Sequence, residues 1–104
     1  MKRRILFLLA LLLSLSSSYG QSIITGHVRT LQGAPVEYAR VLALVPTDST
    51  ILAYTFTDAL GGYRLSVSST QPQLLISVAS MEIERIDRRV ENVSQTCDFR
   101  VKES

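Results

Sequence analysis

The sequence predicts an all-β fold, a seven-stranded antiparallel β-sandwich that follows a signal peptide helix. Two observations predict the strands: apolar and polar residues alternate with a period of two after residue 20, and turn-forming residues interrupt this alternation at short intervals. Short strands with such spacing are typical of two packed antiparallel sheets. We therefore divide the chain into a signal peptide, residues 1–20, and one β-sandwich domain, residues 21–104.

The first 20 residues have the three parts of an export signal. Lys2, Arg3 and Arg4 form a positive start, Ile5 to Leu13 is an unbroken apolar run, and small residues lead to Gly20. Nine apolar residues make a helix of about 13 Å, which is too short to cross a bilayer. We expect cleavage after Gly20, no transmembrane segment in the mature chain, and a location in the periplasm, at the outer membrane or at the cell surface.

Charge and cysteine content exclude several classes of protein. Three of the eleven Lys and Arg residues lie in the leader, so the mature chain has eight cations against nine acidic residues. Beyond the leader the chain has no basic run, and it has no tryptophan, so the electrostatic and stacking forces that bind nucleic acids are missing. Cys97 is the only cysteine, which excludes an intramolecular disulfide and favours a partly buried strand thiol, with an intermolecular bridge as the alternative.

The second predicted strand shows the clearest periodicity. Its core face is formed by alternate residues, namely Ala39, Val41, Ala43 and Val45. Leu42 and Leu44 point to the opposite face, so half of this strand is apolar on both sides. Another element or a partner must cover that side, and Leu42 and Leu44 are therefore our candidate interaction patch.

The other strands follow the same logic, with polar turns between them. Their predicted inward residues are Ile24 and Val28, then Tyr63, Leu65 and Val67, then Leu74, Ile76 and Val78, and last Phe99 and Val101 within Cys97–Lys102. In the third strand, Ile51–Thr57, we place Leu52, Tyr54 and Phe56 on one face. Apolar residues in Met81–Val93 recur every three or four positions, which is helical spacing, but the sandwich context favours a strand.

Three runs of residues carry a resemblance to a known family. Ile24–Val28, Gln32–Val36 and Thr57–Leu65 resemble the carboxypeptidase-regulatory-like domain, over residues 23 to about 80. The resemblance implies a transthyretin-like sandwich of seven strands. It also resembles the version found at the start of outer-membrane β-barrel proteins and TonB-dependent receptors of Gram-negative bacteria, where the domain is periplasmic. The chain departs from that group at Ser80 and Met81, where the group has a glycine and an aromatic. The alternatives are a truncated or degenerate copy of the module and a free-standing one.

The strongest signature of that family is a Thr-Asp-x-x-Gly turn followed by an aromatic residue, matched by Thr57, Asp58, Gly61 and Tyr63. The residue types suit a turn: the Asp58 carboxylate can accept backbone N–H groups, and Gly61 can adopt a conformation that other residues resist. Tyr63 restarts the core face of the next strand. We therefore assign Asp58, Gly61 and Tyr63 a structural role in the turn.

We expect no catalytic residue, no cofactor and no metal ion. His27 is the only histidine and is predicted on the exposed face of the first strand. Asp58 lies in a turn without the alternating oxygen ligands and closing glutamate of a calcium loop. The leading hypothesis is a non-enzymatic exported module that binds a protein partner. The alternatives are a small secreted hydrolase, in which His27 would act with Asp58 or a nearby serine, and a receptor fragment without an independent role.

Overall fold

The alternating residues after position 20 form eight β-strands, one more than the sequence predicts. The computed structural model describes residues 21–104, and the predicted signal peptide, residues 1–20, lies outside them. In chain order the strands are β1 (Gln21–Thr30), β2 (Arg40–Leu44), β3 (Ile51–Phe56), β4 (Gly62–Ser68), β5 (Gln73–Ser80), β6 (Ile83–Glu91), β7 (Gln95–Thr96) and β8 (Phe99–Val101). Within residues 21–104, no helix has the length and hydropathy that crossing a bilayer requires.

The strands form two sheets that enclose the core. The first sheet has the order β4-β1-β7, with β8 also paired to β1, and the second has the order β3-β2-β5-β6. The predicted all-β class and the arrangement in two sheets are confirmed. The prediction of a wholly antiparallel sandwich is wrong, because β7 and β8 both run parallel to β1.

The eighth strand is β7, which lies before the last predicted strand, Cys97–Lys102, and is separated from β8 by Cys97 and Asp98. Between these two strands, the Cys97 N–H donates to the Thr25 carbonyl at 2.7 Å. At the next position the carboxylate oxygen Oδ1 of Asp98 accepts the backbone N–H of His27 at 2.9 Å. A side chain thus takes the place of a backbone carbonyl in the ladder, and β8 begins only at Phe99.

The core contains every residue that the sequence places on an inward face of β1, β2, β4, β5 and β8. Removal of these apolar side chains from water is the main force that holds the two sheets together. The buried set comprises Ile24, Val28, Ala39, Val41, Ala43, Val45, Tyr63, Leu65, Val67, Leu74, Ile76, Val78, Phe99 and Val101. Cys97 is a free thiol and is also buried.

Residues 83–91 form a strand, as the sandwich context favours, and the helical spacing of their apolar residues has a structural cause. Arg88 lies opposite Ile76, a buried residue of β5, and so occupies a position on the core side of β6. Its guanidinium carbon lies 4.5 Å from the centre of the Phe99 ring. Because a cation covers the core at this position, Ile86 and Val90 stand four residues apart, as they would on a helix.

The expectation that Leu52, Tyr54 and Phe56 share a face of β3 is wrong. A register shift between Ala43 and Leu44 of β2 makes Leu52 an extra residue in its pairing with β3. Leu52 therefore packs against the core, whereas Tyr54 and Phe56 are 66% and 50% exposed. The bulge thus turns Leu52 toward the core, whereas Tyr54 and Phe56, which pair with Leu42 and Arg40, stay on the outer face of the second sheet.

Candidate functional site

The turn between β3 and β4 is held by the carboxylate that the sequence assigns to it. Oδ1 of Asp58 accepts the N–H groups of Leu60 and Gly62, each at 2.9 Å. The Asp58 backbone closes the turn by accepting the Gly61 N–H at 2.9 Å and donating to the Gly62 carbonyl, also at 2.9 Å. One carboxylate oxygen is therefore committed to the backbone, as in an Asx turn.

Gly61 connects this turn to the first sheet. Its φ angle is 78°, in the left-handed region that favours glycine. Its carbonyl accepts the Val28 N–H at 2.8 Å. A Cβ at this position would lie 2.4 Å from the Val28 carbonyl oxygen, so only glycine fits against β1 without displacing it.

Thr57 has a role that the sequence alone does not reveal. Its buried hydroxyl accepts the Ala39 N–H at 2.8 Å and donates to the Val36 carbonyl at 2.6 Å. The hydroxyl thereby satisfies two backbone groups of the segment that leads into β2. All four residues of the Thr-Asp-x-x-Gly-x-aromatic signature are thus used within the fold, since Tyr63 is buried in the core.

Tyr63 and Arg88 anchor the two residues between β7 and β8, Cys97 and Asp98. The Tyr63 hydroxyl donates to the Cys97 carbonyl, and Arg88 Nη1 donates to the Asp98 carbonyl at 2.8 Å. The same Nη1 lies 3.4 Å from the Cys97 Sγ. Burial, followed by the neighbouring Cys97, raises the pKa of the Tyr63 hydroxyl above its ordinary value.

Stability is expected to fall in alkaline solution because of Tyr63. The raised pKa in the folded state means that the unfolded chain loses this proton more easily, so the stabilisation is complete below the ordinary tyrosine pKa of about 10 and is lost as pH rises above it. Urea unfolding of wild type and Tyr63→Phe between neutral pH and pH values above about 10 tests this. The free energy of unfolding should decrease more steeply with pH in the wild type, and identical slopes would contradict the assignment.

His27 and Asp58 border one shallow cleft between β1, β3 and β4. His27 is exposed, as predicted. A Cβ built on Gly62 would lie 3.5 Å from His27 Nε2 and 3.2 Å from Asp58 Oδ2, which places both side chains on the same side of that glycine. The aliphatic hydroxyl residues along the cleft are threonines, Thr25, Thr55 and Thr96, and none of the described residues lining it is a serine. Tyr63 also lines the cleft, but its hydroxyl donates to the Cys97 carbonyl.

The described residues give no cluster that suits a metal ion. Within residues 21–104, no group of three or more His, Cys, Asp and Glu side chains is close enough to share one. Asp58 Oδ1 already accepts two N–H groups, so this carboxylate serves the turn first.

The expected contact patch at Leu42 and Leu44 does not form as an exposed surface. Leu42 is half-buried and Leu44 is only 3% exposed. Both lie in the interior strand β2, where Leu44 is flanked by Ile51 of β3 and Leu75 of β5. Side chains of the neighbouring strands thus cover the outer face of β2. Leu42 and Leu44 pack among them and do not form an exposed patch.

Exposed apolar side chains gather instead at one end of the second sheet. Tyr38 is 75% exposed, Met81 is 98% exposed and Phe56 is half-exposed. We call this surface the aromatic groove; its lining residues are Tyr38, Arg40, Phe56, Ala79, Ser80 and Met81. The groove is an uncovered apolar surface with a single cation, the exposed Arg40, among its lining residues.

Tyr38 is held in this groove in an unfavourable backbone conformation. Its φ angle is 60°, in the left-handed region, which costs a residue with a side chain on the order of 1 kcal/mol. Its N–H donates to the Thr57 carbonyl at 3.1 Å, which fixes it in place. A strained, exposed aromatic residue is a candidate member of a functional surface. The sequence offers no signal for it, because Tyr38 precedes the alternating run of β2.

Comparison with known proteins shows similarity at the level of the fold. Neither the known family models nor the curated proteins give a match to the chain. Among solved structures, the chain is similar to a 9R-lipoxygenase from Cyanothece PCC8801, with a TM-score of 0.53 and 18% sequence identity. The match covers 77% of this chain but only 16% of the lipoxygenase chain. At this identity the likeness concerns the β-sandwich alone.

Proposed function

We propose that the chain is an exported, non-enzymatic module that binds a protein partner in the periplasm or at the outer membrane. The observation that carries the proposal is the aromatic groove, an apolar surface at Tyr38, Phe56 and Met81 that the described part of the chain leaves uncovered. Exposed aromatic and methionine side chains are typical of protein-binding surfaces. The leader at residues 1–20 directs the module out of the cytoplasm.

The resemblance to carboxypeptidase-regulatory-like domains supports this proposal. The Thr57-Asp58-x-x-Gly61 turn has a use for each of its signature residues in holding β3, β4 and β1 together. We propose that the chain is an accessory domain of the kind that precedes outer-membrane transport proteins, and that the aromatic groove contacts the partner in place of the leucines of β2.

A hydrolase is the second candidate, favoured by the shared cleft of His27 and Asp58. A histidine oriented by a carboxylate can act as a general base toward a nearby hydroxyl or a water molecule. The hydroxyls available along the cleft belong to threonines, and the cleft is open to solvent. A panel of ester and amide substrates, with His27→Ala as the control, tests this candidate directly.

Capture of the partner distinguishes the two functions. We expect tagged residues 21–104 to retain a defined protein from an outer-membrane or periplasmic extract, and the double variant Tyr38→Asn, Met81→Ser to retain at least about tenfold less, because truncation of central aromatic contacts is costly. Asparagine tolerates the left-handed conformation at position 38, so the fold should be kept.

The matched control is Val93→Ser. Val93 is 54% exposed and lies after β6, away from the residues that line the groove. Equal capture by the double variant and the wild type would contradict a role for the aromatic groove. Hydrolysis that disappears in His27→Ala would instead support the second candidate.

A further inference from the structure

The two edges of the second sheet differ in their protection. β6 is charged along most of its length, with Glu84, Arg85, Asp87, Arg88, Arg89 and Glu91. The start of β6 is also covered by the C-terminal segment, since the Glu84 N–H donates to the Lys102 carbonyl at 2.7 Å. β3 has the sequence Ile-Leu-Ala-Tyr-Thr-Phe, without a charge or a proline. Charged or covered edges resist pairing with another chain, whereas β3 has neither safeguard.

The backbone groups that β3 presents to this open edge can be identified from its neighbour. Thr57 directs both of its backbone groups toward the β2 side, donating to the Ala39 carbonyl at 2.9 Å and accepting the Tyr38 N–H at 3.1 Å. Successive residues of an antiparallel strand direct these groups to opposite sides. Phe56 and Tyr54 therefore direct their N–H and C=O groups away from β2, and within residues 21–104 β3 pairs with β2 alone.

We propose that β3 pairs antiparallel with β3 of a second copy of this chain, about a twofold axis at Thr55. In this register Tyr54 faces Phe56 of the second copy and Phe56 faces its Tyr54, and each pair exchanges both N–H···O bonds. This register uses all of the outward-facing backbone groups from Tyr54 to Phe56. The second sheets of two copies then join into one continuous sheet.

The exposed side chains of β3 complement themselves in this register. Tyr54 and Phe56 lie on the outer face with ring centres 6.2 Å apart in an edge-to-face arrangement. Pairing places an aromatic ring of one copy directly across from an aromatic ring of the other, which stabilises antiparallel sheets. Thr55 meets Thr55 of the second copy at the axis, also a favourable cross-strand pair.

Because β3 has no charged residue, its edge suits β3 of a second copy better than a strand of mixed charge. A twofold axis brings identical residues together, so any charge on β3 would face a like charge, and β3 has none. The mature chain has eight cations and nine acidic residues, so two copies repel each other only weakly. Because the charged β6 blocks the other edge, pairing ends at a closed dimer and does not continue into a fibre.

The small contact area between the two copies predicts weak association. The surface consists of one six-residue strand and its exposed side chains, which is small beside the roughly 800 Å² per partner of a typical stable interface. We therefore expect a concentration-dependent dimer with a dissociation constant between about 1 µM and 1 mM.

Sedimentation equilibrium of residues 21–104, which contain both sheets and the core, tests this inference. The weight-average mass should rise from one chain toward two as the concentration increases through about 1 µM to 1 mM. Tyr54→Pro removes an N–H that faces outward and breaks no bond to β2, so it should remain monomeric and folded by circular dichroism. Tyr54→Val keeps that N–H and should still associate. A monomeric wild type, or undiminished association of Tyr54→Pro, would overturn the proposal.

Charge exchange at the axis provides an independent test. Thr55→Lys and Thr55→Glu should each be monomeric, because like charges meet at position 55, whereas their equimolar mixture should form a mixed dimer. A mixture that stays monomeric while the wild type dimerises would rule out the register. These variants leave Tyr38 and Met81 unchanged, so the outcome does not depend on the proposed function, and failure of either proposal can be recognised separately.

Discussion

Gly26→Ala is expected to leave most of the molecules unfolded under native conditions. A Cβ on Gly26 would lie 2.0 Å from the carbonyl oxygen of Cys97 and 2.7 Å from its carbonyl carbon. These are backbone atoms held on two sides, by the Cys97 N–H bond to Thr25 and by the Tyr63 hydroxyl. The clash can be relieved only by moving β1 away from the segment between β7 and β8. We expect a loss of about 3 to 5 kcal/mol.

Such a loss is comparable with the whole stability of a small domain, which is about 5 kcal/mol or less without disulfides or metal ions. Urea unfolding followed by circular dichroism measures it. Gly62→Ala is the matched control, because the nearest atoms to its Cβ would be side-chain atoms of Asp58 and His27, at 3.2 Å or more, so the crowding is milder and the loss should be smaller. A Gly26→Ala variant within about 1 kcal/mol of the wild type would show that β1 does not approach Cys97 this closely.

Gly61→Ala is expected to cost about 3 kcal/mol of the free energy of unfolding. The left-handed φ of 78° accounts for about 1 kcal/mol of this. The remaining part comes from crowding, because the new Cβ would lie 2.4 Å from the Val28 carbonyl oxygen and 3.2 Å from the Val36 nitrogen. The turn would have to move away from β1 and lose the bond from the Val28 N–H.

Gly33→Ala separates these two contributions. Gly33 also has a left-handed φ, 92°, but a Cβ there would meet only the Arg100 side chain, at 3.8 Å. Urea unfolding should give a loss of about 1 kcal/mol for this control. If the two glycine variants lose the same stability, the close packing of the turn against β1 is not what makes Gly61 necessary.

Much of the candidate turn could be predicted from residue types, because its chemistry is local. Asp58 accepts N–H groups within four residues of itself, and Gly61 needs its φ for the same short turn. Thr57 could not be assigned in this way, since its hydroxyl serves Val36 and Ala39, far away in the sequence. The position of Arg88 over the core could not be predicted either, because its partner Phe99 belongs to the other sheet.

The exposed surface was the least predictable feature. Alternation states which residues share a face, but it does not state which face a neighbouring strand covers. Leu44 is buried because β2 is an interior strand, whereas Tyr54 and Phe56 are exposed on β3, which is an edge strand. Strand order and register therefore decide where a partner or a second copy can bind.

By itself the sequence determined the all-β class, the inward residues of five strands and the turn at Asp58, because period-two burial and short turns depend on neighbours along the chain. Only the tertiary structure decided that β7 and β8 run parallel to β1, that Asp98 divides them, and that the aromatic groove and the β3 edge stay open. Those features depend on contacts between segments distant in sequence, whose pairing no local pattern specifies.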